Sequence, residues 1–89
     1  GHEAVIVEVG GGVRTYRRDG VDYLDGYAED EISPGSAGHV LAPWPNRIRD
    51  GQYTFGDRSL QLDLTEPARG VALHGLVNWL PFLMVNAAR

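Results

Sequence analysis

Apolar and polar residues alternate along much of this chain, with the two-residue period of strands. "EAVIVEV" (3–9) is rich in β-branched residues and runs into Gly10-Gly11-Gly12, a turn or bulge signal. "VRTYRR" (13–18) puts Val13, Thr15 and Arg17 on one face and Arg14, Tyr16 and Arg18 on the other. Asp19-Gly20 predicts a hairpin turn, and "VDYLDGY" (21–27) resumes the alternation. These segments read as a short antiparallel meander.

A polar loop follows at 28–38, with consecutive acids Glu29, Asp30 and Glu31 and the punctuation Pro34-Gly35. "HVLA" (39–42) predicts a short strand. "QYTF" and "RSLQLDL" flank Gly56-Asp57, a two-residue hairpin loop. Leu60, Leu62 and Leu64 alternate with Gln61 and Asp63, so one face should be covered and the other wet. "TEPARG" reads as a turn, and "VALHGLVNW" leads into an apolar tail. No stretch keeps a 3.6-residue period over three turns. The expected class is all-β and antiparallel.

Composition narrows the function. The chain has 89 residues, 43% of them apolar and 22% charged, which are ordinary globular values. Its net charge is −4, it has no lysine, and its arginines are scattered. A nucleic-acid partner needs clustered positive charge, so none is expected. Without cysteine there are no disulfides or thiolate metal sites. "LVNWLPFLMV" is too short to span a bilayer and contains Asn78 and Pro81, so no membrane association is expected. No signal peptide opens the chain, and a cytoplasmic location is the expectation. Met84 is the only methionine, and Gly1-His2 reads as a processing or tag scar. The chain is expected to be a fragment, one partial β domain over 1–89.

Two residues stand out as carriers of chemistry. In "APWPNRIRDG" (42–51), Ala42 and Trp44 each precede a proline, which pushes them to extended geometry. Arg47 follows this stiff run. It is either a solvated edge arginine or a pre-organised guanidinium whose rigid fork suits hydroxyls or a carboxylate. His74 interrupts an apolar run in "ALHGLV". It is either a boundary histidine bonded to backbone or a proton donor and hydroxyl binder. The glycine run lacks a following helix and so does not cradle phosphate. His39 and His74 have no paired histidine nearby, which argues against zinc. Trp44 and Trp79 could stack a sugar face or pack in a core.

In order and spacing, "VEVGGGVRTY", "DYLDGY", "PGSAGHVLAPWPNRIRDGQYTF" and "LTEPARGVALHGLV" together resemble the aldose 1-epimerase (galactose mutarotase) family. The resemblance covers about residues 5–80 and corresponds to the N-terminal portion of a family domain. It implies a galactose-mutarotase-like β-sandwich, or supersandwich, that carries a free aldose in a cleft. It implies an isomerase that interconverts α and β anomers without a metal or cofactor. A general base takes the anomeric hydroxyl proton and a general acid protonates the ring oxygen. The ring opens to the aldehyde, C1–C2 rotates, and the ring recloses on the other face.

By this resemblance Arg47, Asn46 and His74 are substrate-binding residues, and His74 is also catalytic. Val71 stands where many relatives have asparagine, and Leu76 replaces the second glycine of an "HGG" version. The family's acid histidine and base glutamate lie downstream of this segment, so the chain alone is expected to be nearly inactive. Its other expected partner is the remainder of the sandwich or a second copy of itself. A stand-alone carbohydrate-binding or self-associating β module, and a purely structural β domain, are the alternatives.

Overall fold

A computed structural model of the chain describes residues 1–88. Arg89, the last residue of the expected domain, lies outside the described residues. Among the described residues the protein is all-β, every strand pair is antiparallel, and the only helical pieces are two 3₁₀ turns, Pro34–Ser36 and Pro67–Arg69. Two compact units form: Gly1–Val40 with the segment from Val77 onward, and Leu41–Leu76.

The first unit is the expected meander. Strands β1 (His2–Ile6), β2 (Val13–Arg18) and β3 (Val21–Asp22) pair in chain order. Asp19 and Gly20 join β2 to β3 with φ of 51° and 81°. Positive φ at both central residues marks a type I′ turn, whose twist matches the strands. β1 is shorter than "EAVIVEV" suggested. A register irregularity falls at Val5/Ile6, after which the Val7 N–H donates to the Gly12 carbonyl and closes the glycine turn. β3 keeps one further bond, from the Tyr23 N–H to the Tyr16 carbonyl, and then ends short of Tyr27. Asp25 and Gly26 have poor strand propensity. "HVLA" is not a strand, because the His39 N–H folds back onto the Ser36 carbonyl in a turn. The apolar tail is tied to the glycine turn: Gly10 N–H donates to the Leu80 carbonyl and Phe82 N–H to the Glu8 carbonyl, both at 2.7 Å.

The second unit holds β4 (Arg47–Arg49), β5 (Gln52–Phe55), β6 (Arg58–Gln61) and β7 (Val71–Leu73). β5 and β6 form the expected hairpin about Gly56-Asp57. β6 stops at Gln61, whose side-chain amide donates to the carbonyls of Asp50 and Leu62. β4 pairs with β7 in the register Arg47↔Leu73, Ile48↔Ala72, Arg49↔Val71. Ala72 is the one fully buried apolar residue among those described, so the core of this unit sits on the β4–β7 ladder. Leu60 and Leu62 are only half-covered and Leu64 is exposed, less than the alternation promised.

Candidate functional site

The expected site residues Asn46, Arg47 and His74 all fall in the second unit: Arg47 opens β4, and Asn46 and His74 directly flank β4 and β7. The proline run is laced to the chain that follows β7. The Leu76 N–H donates to the Ala42 carbonyl at 2.7 Å, and the His74 N–H to the Asn46 carbonyl at 2.9 Å. The Ala42–Pro43 peptide is cis. Gly75 lies so close to this run that a Cβ there would sit 2.1 Å from the Ala42 carbonyl oxygen, and its φ is 77°. Only glycine meets both demands.

Asn46 and His74 extend the ladder by one irregular pair. In a regular hydrogen-bonded pair the Asn46 N–H would donate to the His74 carbonyl. Here it donates to His74 Nδ1 at 2.9 Å. His74 has a φ of 58° and Asn46 a φ of 65°. Left-handed backbone at His74 turns its carbonyl out of the ladder, and the imidazole takes that place. Two consequences follow for chemistry. A ring accepting at Nδ1 carries its proton on Nε2 when neutral, so His74 presents a donor. The left-handed pair also interrupts the alternation that would send Asn46 and His74 to the face opposite Arg47.

β7 is lined on its other edge by Thr65 and Glu66. The Leu73 N–H donates to Thr65 Oγ1 at 2.8 Å, and Glu66 bridges Val71. β4 and the Thr65–Glu66 segment thus flank β7, and two long side chains meet between them. Arg47 donates from Nε to Glu66 Oε1 at 2.7 Å and from Nη2 to Oε2 at 3.4 Å. Arg69 approaches Oε1 at 3.7 Å. Hydrogen bonding to Arg47 holds the Glu66 carboxyl below its usual range. Partial burial opposes that shift, while the charges of Arg47 and Arg69 add to it. The same pair keeps the Arg47 guanidinium more firmly protonated. Arg47 remains 41% exposed and Glu66 24%.

Sequence reasoning missed Glu66, reading "TEPARG" as a turn. It is a turn: Pro67–Arg69 is a 3₁₀ turn closed by left-handed Gly70. An acid beside a proline turn carries no local sign of a partner 19 residues away. Trp44 Nε1 is buried with no acceptor among the described residues. His39 and Trp79 meet edge to face in the first unit, with ring centroids 5.0 Å apart. That unit also has an open polar hollow of about 640 Å³ lined by Arg17, Asp22 and Tyr23 among others. It contains none of the three expected site residues, whereas the second unit brings all three together. Among the described residues no group of three or more His, Cys, Asp or Glu side chains could hold a metal ion. None of their helices is long and apolar enough to cross a membrane.

An all-antiparallel chain agrees with what comparison shows. The aldose 1-epimerase family model matches residues 1–89, and the chain belongs to that family. The observed strands are consistent with its β-sandwich. The chain is also 35% identical over 78 residues to a protein described as "Uncharacterized protein YihR" of Escherichia coli (strain K12). That match covers 88% of this chain and 25% of the relative, so the chain spans about a quarter of the relative's length. No solved structure matches it.

Proposed function

We propose that this chain is the N-terminal, sugar-contacting segment of an isomerase that interconverts the α and β anomers of a free aldose such as galactose or glucose. The observation that carries this reading is the joining of Arg47 and His74 through one strand pair, with the imidazole held as an Nε2–H donor by the Asn46 N–H. A fixed guanidinium grips hydroxyls, and a neutral imidazole N–H donates to a ring or anomeric oxygen. Asn46 serves through its backbone, by orienting that ring. The acid and base of ring opening lie outside these residues. Each contributes about 10²–10⁴-fold, so the 89-residue chain is expected to fall short of full turnover by roughly 10⁴-fold or more.

Two measurements test this. Galactose titrated against Trp44 fluorescence, with Trp79→Phe removing the other tryptophan, should give a saturable response that His74→Ala weakens. NMR of freshly dissolved α-galactose should show anomerisation close to the buffer rate. No fluorescence response at high millimolar sugar would overturn the binding claim, and fast anomerisation abolished by His74→Ala would overturn the inactivity claim.

The second reading is self-association. Leu83, Met84 and Val85 are 86%, 80% and 90% exposed, and a run of that kind favours cover by another polypeptide. The remainder of a sandwich or a second copy would supply it.

A further inference from the structure

The guanidinium of Arg47 has two usable edges, and the structure commits one of them. Glu66 takes the side edge, Nε with Nη2. The end edge, the outward N–H groups of Nη1 and Nη2, has no partner among the described residues. We propose that Glu66 is a positioning residue: it fixes the plane and direction of the Arg47 guanidinium so that the end edge faces two adjacent hydroxyls of the sugar. This rests on the aldose reading above.

Three observations carry it. The contact is two-pronged, which fixes orientation as well as distance. Glu66 is itself anchored, because its backbone bridges Val71 in both directions and Pro67 follows it in a 3₁₀ turn. And Arg47 and Glu66 reach toward each other from opposite edges of β7, the strand that leads into His74. The cationic groups around Glu66 are Arg47 and Arg69, and the titratable His74 also lies near it. Arg69 is the more exposed arginine and meets Glu66 through one longer contact, so it does not set the orientation. Two parallel N–H groups match a vicinal diol in the way they match a carboxylate, by a planar fork.

A double-mutant cycle on sugar affinity tests this in the intact chain, read by Trp44 fluorescence in the Trp79→Phe background. Glu66→Ala is expected to weaken galactose binding by about threefold to fivefold, the scale of an exposed ion pair, and Glu66→Gln by less, because the amide oxygen still accepts from Nε. In the Arg47→Ala background, Glu66→Ala should change affinity by less than about twofold, because a residue that acts through its partner has no effect once the partner is gone. Far-UV circular dichroism identifies any variant that fails to fold, and Glu66→Gln then carries the test. Wild-type affinity in both Glu66 variants would overturn the proposal. So would equal losses in the presence and absence of Arg47, which would make Glu66 an independent contact. Those results leave the aldose reading standing. A wild-type chain that ignores both galactose and glucose removes that reading and this inference together.

Discussion

His74 shows how one backbone angle can decide a side chain's chemistry. Its left-handed φ withdraws a carbonyl from the ladder and puts Nδ1 in its place, which settles the neutral tautomer. Replacing it with a residue that lacks a ring nitrogen leaves the Asn46 N–H without that acceptor. Glu66 permits a second test at this scale. Its folded pKa is depressed below the ordinary 4.5, chiefly through its hydrogen bond to Arg47. A depressed carboxylate contributes stability that is complete above the unfolded value and disappears as pH falls through the folded one. The thermal midpoint of the wild type is therefore expected to drop on acidification below about pH 4.5, and Glu66→Gln should flatten part of that drop. An unchanged acid limb in Glu66→Gln would show that the pair contributes nothing to folding.

At the level of elements, the placement of the site depends on how tightly the Ala42–Asn46 run lies against the chain after β7. Gly75 permits the approach. Gly75→Ala combines left-handed strain with a clash against the Ala42 carbonyl oxygen. Gly70→Ala introduces the strain alone, since nothing lies within 4 Å of a Cβ there. Left-handed strain at a non-glycine residue costs about 1–3 kcal/mol, so Gly70→Ala should fall in that range and Gly75→Ala above it. Urea denaturation compares them, and equal losses would mean that the loop simply shifts. The alternation in "VRTYRR" and "QYTF" located β2 and β5 to the residue. It overran β1, β3 and β6: β1 ends at a register irregularity, β3 stops at Asp22, short of Asp25-Gly26, and at the end of β6 the Gln61 side chain caps two carbonyls.

For the whole molecule the decisive quantity is uncovered apolar surface. Among the described residues Ala72 alone is a buried apolar residue, while Ile32, Phe55, Leu83, Met84 and Val85 are each at least 76% exposed. β1 is an edge strand exposed along its length, and open edges template pairing. Sedimentation velocity on the isolated chain should therefore show concentration-dependent association, and Leu83→Lys with Val85→Lys should reduce it. A monomer at every concentration would contradict this.

Strand class, the two hairpin turns and the lack of a long helix among the described residues were legible in the sequence, as was the singling out of Arg47 and His74 as candidates. Each rests on local chemistry: two-residue alternation, Asp-Gly and Gly-Asp pairs, proline stiffness, and polar residues in apolar company. The partner of Arg47, the exchange of a carbonyl for an imidazole at His74, and the meeting of β4 with Thr65–Glu66 across β7 were decided only in three dimensions. Those contacts join segments 8 to 28 residues apart. No periodicity encodes such a pairing, because it exists only once the strands have chosen their neighbours.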